Sequence, residues 1–157
     1  METISIGEWK LLTEPGTLRT CGLGSCISVV LYDRAHGIAG MVHIMLPDAS
    51  QARKGAFNPW RYADTALNLL QEKLLKAGAS NLQAKMVGGA QMFRYAMREE
   101  FMQIGKRNIE AATTWLEQAH ISIVAREVGG TVGRTVEFDL PSCTMRVRTA
   151  NKTIKLL

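Results

Sequence analysis

The chain has 157 residues, of which 46% are hydrophobic and 21% are charged. This length and balance are typical of one soluble globular domain and exclude a disordered or fibrous protein. The net charge is +5, but only 6% of the residues are aromatic, so the basic surface lacks the interleaved aromatic side chains that favour nucleic-acid binding.

No apolar run reaches the roughly 18 residues of a membrane-spanning helix, and the N-terminus lacks a secretory signal pattern. We therefore expect a cytoplasmic protein that is not embedded in a membrane, with a single domain over residues 1–157. The cysteines Cys21, Cys26 and Cys143 are odd in number, which argues against a disulfide framework. Their spacing from the histidines fits no zinc ligand set, and we expect neither a metal nor a cofactor.

The first half of the chain predicts three strands and one helix. Apolar and β-branched residues bounded by turn signals predict strands at residues 4–12, 26–32 and 37–46. The small, polar residues 49–57 predict an exposed loop. Asn58-Pro59 is typical of a helix start, apolar residues then recur at helical spacing, and Gly78 marks the helix end.

The second half predicts two further helices and a β-rich end. A strand at residues 82–87 runs into Gly88-Gly89, where the backbone can turn or approach another group closely. Strands in consecutive groups around two main helices favour an α+β fold, a layered sandwich with a mixed sheet. The remaining predicted elements are a short helix at residues 91–98, a longer helix at 107–119 with Ile109, Ala112, Thr113 and Leu116 on one face, and strands at 121–127, 135–140 and 144–148.

The segment Thr20–Cys26 (TCGLGSC) carries the first chemical signal. Two glycines lead into Cys26, and they leave room for a substrate to approach the backbone. Gly24 also leaves the amides of Ser25 and Cys26 unhindered, so that these amides can donate to a developing oxyanion.

A base for Cys26 follows from the register of the next two strands. If Tyr32 and Gly37 close a four-residue hairpin loop, Cys26 stands opposite His43, with Cβ atoms roughly 4.5–5.5 Å apart. An imidazole at that distance can convert the thiol to a thiolate, and a third group, either Thr20 or a backbone carbonyl, would orient the imidazole.

The residues alone leave two interpretations of this pair open. A cysteine at the start of an apolar strand is usually a small buried hydrophobe, and a histidine among apolar residues is usually a satisfied core residue. The catalytic interpretation makes Cys26 the most reactive of the three thiols. It leaves Cys143, in a predicted turn, with ordinary reactivity.

Two long motifs, TCGLGSCISVVLYD at residues 20–33 and GIAGMVHIMLPD at 37–48, resemble the signature of the CheD family of chemoreceptor glutamine deamidases. Three further segments match in the expected order, so the resemblance spans nearly the whole chain. These segments are VGGAQMF at 87–93, IGKRNIEA at 104–111 and EVGGTVGRTVEFD at 127–139. Cys21 departs from the family motif; it is either inert, which we expect, or a resolving thiol for Cys26 under oxidation.

The resemblance implies a nucleophile at Cys26, a catalytic histidine at His43 and a catalytic threonine at Thr20. It implies a fold related to the catalytic domain of the cytotoxic necrotizing factor toxins. The substrates would be glutamines on the cytoplasmic helices of methyl-accepting chemotaxis proteins, which are converted to glutamate through a thioester; some members also hydrolyse receptor methyl esters. A CheC-type phosphatase is the implied partner.

Two other functions remain open from the sequence. The chain could act as a regulatory binding module that activates a CheC-type phosphatase, with deamidation minor or lost. It could also be another thiol hydrolase such as a protease, although no Asn or Asp partner is evident after His43. A phosphatase assay separates the first alternative from deamidation, and incubation with a receptor fragment separates the second.

Overall fold

The computed structural model describes residues 1–50, 52, 55, 57–91 and 103–157. The short helix predicted at 91–98 lies, beyond Gln91, outside the described residues, and the loop predicted at 49–57 is described only in part. The elements of the described residues are β1 (Glu2–Ile4), β2 (Trp9–Leu12), β3 (Gly16–Leu23), β4 (Ile27–Asp33), β5 (Ile38–Ile44), α1 (Ala63–Lys76), β6 (Gln83–Gly88), α2 (Ile104–Gln118), β7 (Ser122–Val128), β8 (Arg134–Leu140), β9 (Met145–Thr149) and β10 (Ile154–Leu156).

The strands form two mixed sheets. The first sheet has the order β2-β5-β4-β6-β7 and is antiparallel except for the pair β6–β7, whose connection contains α2. The second sheet has the order β1-β3-β8-β9-β10, in which only β1 and β3 run parallel. A parallel pair needs a crossover between its strands, and α2 serves this purpose in the first sheet.

The first sheet is the middle layer of the molecule. Alternate residues of β4 and β5, among them Val29 and Val42, pack with α1 and α2 into one core. The residues between them, among them Val30 and Met41, pack against the second sheet in another core. Because both faces are covered, every residue of β4 and β5 is buried. This arrangement confirms the predicted α+β layered sandwich with two main helices.

The start of the main helix agrees with its signal. The Asn58 side chain accepts a hydrogen bond of 3.0 Å from the Trp60 amide and caps a 3₁₀ turn over Pro59–Arg61. Helix α1 then begins at Ala63, and Gly78 follows its end with a φ of 110°. In α2, Ala112 and Leu116 of the predicted face are fully buried, and Ile109 packs against the same core. Thr113 is only half-buried, and Asn108, which was not predicted on this face, is fully buried.

The N-terminal strand assignments were wrong in two respects. The single strand predicted at 4–12 is two strands in different sheets, because the chain turns at Gly7, whose φ is 73°. Strand β3 was not predicted, because its glycines and polar residues resemble a loop, yet it pairs with β1 and β8. The final strand β10 was also missed; all three of its residues are exposed.

The hairpin register differs from the prediction by two residues. His43 pairs with Ser28, and the four-residue loop lies between Asp33 and Ile38 instead of between Tyr32 and Gly37. Side chains alternate with a period of two, so this shift leaves every side chain on its predicted face. The sequence pattern therefore identified the faces correctly but not the partner of His43.

Candidate active site

Three of the predicted site residues lie near the interface of the two sheets. Thr20 is on β3 of the second sheet, His43 is on β5 of the first, and Cys26 directly precedes β4 beside it. Their exposed fractions are 0% for Thr20, 1% for His43 and 8% for Cys26. The packing of the two sheets thus places groups from separate elements in a largely water-free environment.

The Thr20 hydroxyl joins His43 to the backbone of β1. Its oxygen lies 2.8 Å from Nδ1 of His43 and 2.8 Å from the carbonyl oxygen of Ile4. A carbonyl only accepts, so the single hydroxyl proton is donated to Ile4 and the hydroxyl oxygen accepts from Nδ1–H. This assignment leaves Nε2 of His43 without a proton, which is the form that acts as a base.

Burial keeps that imidazole neutral. Desolvation lowers the pKa of His43 from 6.5 to about 4, because the charged form would lose its hydration. The Nε2 atom is buried and has no hydrogen-bond partner among the described residues. At neutral pH, His43 is therefore an unprotonated base with a fixed tautomer.

Cys26 lies next to this base without a hydrogen bond to it. It stands two residues before Ser28, which pairs with His43, and so occupies a diagonal position relative to the histidine. Diagonal positions of a ladder are roughly 7–8 Å apart, within reach of long side chains. Burial also raises the pKa of the Cys26 thiol. Both directions favour a neutral thiol and a neutral imidazole at rest, whereas the sequence led us to predict a thiolate.

The segment that carries Cys26 is held by its carbonyl groups. The Gly24 carbonyl accepts from the Ala90 amide at 2.8 Å, and the Cys26 carbonyl accepts from the Gly89 amide at 2.9 Å. The Ser25 carbonyl accepts from the Asn108 side chain at 2.9 Å. By contrast, the amides of Ser25 and Cys26 donate to no backbone carbonyl of the described residues. A hydrogen bond from the Cys26 amide to its own thiol lowers the pKa of that thiol by less than burial raises it. The sequence predicted these two amides as oxyanion donors, and their lack of a carbonyl acceptor is compatible with that prediction.

The close approach predicted at Gly88-Gly89 is confirmed. Gly88 has a φ of 116°, and a Cβ at this position would lie 2.3 Å from the Cys26 carbonyl oxygen. A side chain there would displace the segment that carries Cys26, so this glycine belongs to the construction of the site.

Sequence reasoning missed three contributors to the site. The Ile4 carbonyl left no signal, because backbone groups are not distinguished by sequence. Ser28 pairs with His43, and its buried hydroxyl has no partner among the described residues. Asn108 did leave a signal, since it is a polar residue in line with Ala112 and Leu116 on a helical stripe.

Among the described residues, neither of the other thiols hydrogen-bonds to Thr20, Cys26 or His43, and the Arg134 guanidinium donates to the Gly88 carbonyl at 3.3 Å. Cys21 is exposed, and Cys143 is fully buried instead of accessible in a turn. Within the described ranges, no group of three His, Cys, Asp or Glu residues is placed to hold a metal ion. No helix of the same ranges is long and apolar enough to cross a membrane.

Comparison with known proteins gives a consistent family match. The model of a family described as CheD chemotactic sensory transduction matches residues 45–149, more than half of the chain. The chemoreceptor glutamine deamidase CheD of Halalkalibacterium halodurans is 47% identical over 95% of this chain and 93% of its own length. A probable chemoreceptor glutamine deamidase CheD from Geobacillus kaustophilus is 45% identical over 97% of this chain and 94% of its own length. The Bacillus subtilis chemoreceptor glutamine deamidase CheD is 38% identical over 98% and 94%, respectively.

Proposed function

Because this chain belongs to the CheD family of chemotactic sensory transduction proteins, we propose that it converts glutamine side chains of chemoreceptors to glutamate. The activity is the one named for its relatives. The observation that carries the residue assignment is the chain of hydrogen bonds from His43 through Thr20 to the Ile4 carbonyl. In this proposal Cys26 is the nucleophile, His43 is the base, and Thr20 orients the base.

The first half of the reaction forms a thioester. As the Cys26 sulfur attacks the carboxamide carbon, its proton moves to Nε2 of His43, and the carbonyl π electrons move onto oxygen. The Ser25 and Cys26 amides stabilise this oxyanion. When the oxyanion collapses, the carbon–nitrogen bond breaks, and the nitrogen takes the proton from His43 and leaves as ammonia.

The second half consumes water. His43, again neutral, takes a proton from water while the water oxygen attacks the thioester carbon. The carbon–sulfur bond then breaks, the sulfur recovers its proton from His43, and glutamate is released. Because the Cys26 thiol and the His43 imidazole are both neutral at rest, the thiol proton moves to His43 in the same step in which the sulfur attacks. The rate should fall as the pH drops through about 4, where His43 becomes protonated.

We also propose the substrates, the compartment and the regulatory partner of this reaction. The substrates are glutamines on the cytoplasmic helices of methyl-accepting chemotaxis proteins, which places the reaction in the cytoplasm. Receptor methyl esters are a second substrate, since attack on an ester carbonyl needs the same groups and releases methanol. A CheC-type phosphatase is the proposed regulatory partner, and the chemistry needs no metal or cofactor.

Mass spectrometry of a purified receptor cytoplasmic fragment tests the activity. We expect wild-type protein to convert glutamine to glutamate with release of ammonia and no cleavage of the fragment. The Cys26→Ala variant should leave the fragment unchanged. A shortened fragment would identify a protease. If the fragment stays unmodified while the wild type and the Cys26→Ala variant both stimulate a CheC-type phosphatase, the chain is a regulatory module instead.

A further inference from the structure

Asn108 joins the two segments that carry the proposed nucleophile and base. It lies on α2 with 0% of its surface exposed. Its Nδ2 donates to the Ser25 carbonyl at 2.9 Å and to the Met45 carbonyl at 3.0 Å. Ser25 directly precedes Cys26, and Met45 lies two residues beyond His43. A single amide group thus uses both of its protons to hold the two segments together.

The contact with Ser25 determines where the Cys26 amide points. A trans peptide is planar, so its C=O and N–H point in opposite directions. The peptide between Ser25 and Cys26 directs its oxygen at Asn108, and its N–H therefore points away from that side chain. This N–H donates to no backbone carbonyl of the described residues and instead forms a hydrogen bond with the thiol of Cys26 itself.

The surrounding backbone holds the same segment in place. The carbonyls of Gly24 and Cys26 are bound by Ala90 and Gly89, whose turn packs against the first turn of α2. That packing is close, since a Cβ on Gly105 would lie 2.5 Å from the Gly89 carbonyl oxygen. Only the middle carbonyl of the three, that of Ser25, depends on a side chain.

We propose that Asn108 is a positioning residue that orients the Ser25–Cys26 peptide so that the Cys26 amide donates to the oxyanion. This inference rests on the proposed deamidation. The hydrogen bonds of Asn108 go to the Ser25 and Met45 carbonyls and not to the Cys26 thiol or the His43 ring. It acts through the peptide plane, which would otherwise be free to rotate and turn its N–H away from the developing charge.

The test compares two reactions of the same thiol, only one of which forms an oxyanion. Deamidation passes through a tetrahedral oxyanion. Alkylation of Cys26 by iodoacetamide displaces iodide from a saturated carbon and forms none. In a Cys21→Ser background, Asn108→Ala should lower kcat for deamidation by roughly 10- to 100-fold. It should leave KM and the Cys26 alkylation rate within about twofold, because the lost interaction exists only in the transition state.

Two outcomes would overturn the proposal. An unchanged kcat would show that the peptide keeps its orientation without Asn108. An equal fall in deamidation and alkylation would show that Asn108 only maintains the fold or the thiol position. If the background protein itself does not deamidate the receptor fragment, the proposed function fails, and this result is distinct from either outcome for Asn108.

Two further variants complete the experiment. Asn68→Ala removes another asparagine bonded to α2, through the Trp115 indole at 2.8 Å, but one far from the nucleophile. Both of its rates should match the background. Asn108→Ser keeps one donor and should retain more kcat than Asn108→Ala. If the alanine variant does not fold, the ratio of the two rates in the serine variant decides the question by the same criterion.

Discussion

The hydroxyl proton of Thr20 determines which ring nitrogen of His43 keeps its lone pair. Because that proton is donated to the Ile4 carbonyl, the oxygen accepts from Nδ1–H and Nε2 keeps its lone pair. A threonine that donated to Nδ1 would leave Nε2 protonated and unable to accept from a thiol. The orientation of this hydroxyl group therefore decides whether Nε2 of His43 can accept a proton from a thiol.

Replacing Thr20 tests this dependence. Thr20→Val keeps the shape and removes the hydroxyl, so deamidation should slow by roughly 10- to 100-fold, the worth of one or two hydrogen bonds. Thr20→Ser should retain most of the activity, because it keeps the donor and acceptor. The ¹⁵N NMR spectrum of His43 should show Nδ1–H in the wild type and a mixture of tautomers in the valine variant. Equal rates for the valine variant and the wild type would remove Thr20 from the mechanism.

Loss of the nucleophile or base should be more severe. Cys26→Ala should show no measurable ammonia release, and His43→Ala should lose at least about a hundredfold, because the thiol then has no acceptor for its proton. Thermal unfolding checks that both variants fold. The matched control is Cys21→Ser, an exposed thiol five residues from Cys26, which should retain wild-type activity. Wild-type rates in a folded Cys26→Ala protein would refute the site.

The reactivity of the thiols should follow exposure, not the order expected from the sequence. Cys21 is exposed, Cys26 is nearly buried and Cys143 is fully buried, and burial raises the pKa of both buried thiols. Brief alkylation followed by peptide mapping should label Cys21 first and Cys143 only after unfolding. The pH midpoint for Cys26 should lie above the free-thiol value of roughly 8.5. A lower midpoint that depends on His43 would restore the thiolate–imidazolium pair.

Among the elements, the short strand β1 has a role beyond its pairing with β3. It supplies the carbonyl that takes the Thr20 proton, and Ile4 itself is 2% exposed. Removal of residues 1–4 should let the Thr20 hydroxyl donate to Nδ1, which would cut the deamidation rate by roughly tenfold. Adding Thr20→Val to the shortened chain should then cost little more. Full activity of a folded, shortened chain would contradict this role.

At the scale of the whole molecule, the two sheets that create the site also make the protein sensitive to acid. His43 is buried between them with a pKa near 4, against 6.5 when unfolded. Above pH 6.5, His43 is neutral in both the folded and the unfolded state, and its protonation does not reduce the stability of the protein. As the pH falls from 6.5 to 4, the unfolded state takes up a proton that the native state does not, so stability is lost.

Chemical denaturation at pH 7.5 and 4.5 measures this loss. Between pH 7.5 and pH 4.5, the free energy of unfolding of the wild type should fall by roughly 2–3 kcal/mol more than that of His43→Gln. This expectation follows from about 1.4 kcal/mol for each unit by which the folded and unfolded pKa values of His43 differ. The control His120→Asn changes a histidine beyond α2 and should lose as much as the wild type. Equal losses in the wild type and in His43→Gln would show that His43 is not held neutral by burial.

Local patterns in the sequence determined the elements with strong signals. The Asn58 cap and Gly78 delimited the region of α1, and alternation divided the side chains of β4 and β5 correctly between the two faces of their sheet. Motifs indicated the family, which the comparisons confirm, and through it predicted Thr20, Cys26 and His43 as site residues. These features depend on neighbours along the chain, so the sequence contains them directly.

Only the tertiary structure decided how these residues meet. Shifting the register of β4 and β5 by two residues leaves the alternation of side chains unchanged, so the pattern could not choose between the two registers. The predicted register placed Cys26 opposite His43, whereas the ladder pairs His43 with Ser28. The contact between Thr20 and His43 depends on how two sheets face each other across the core. Burial raises the pKa of Cys26 and lowers that of His43, and both shifts oppose the expected ion pair. This burial comes from layers packed on both sides of a strand, and those layers belong to distant parts of the chain.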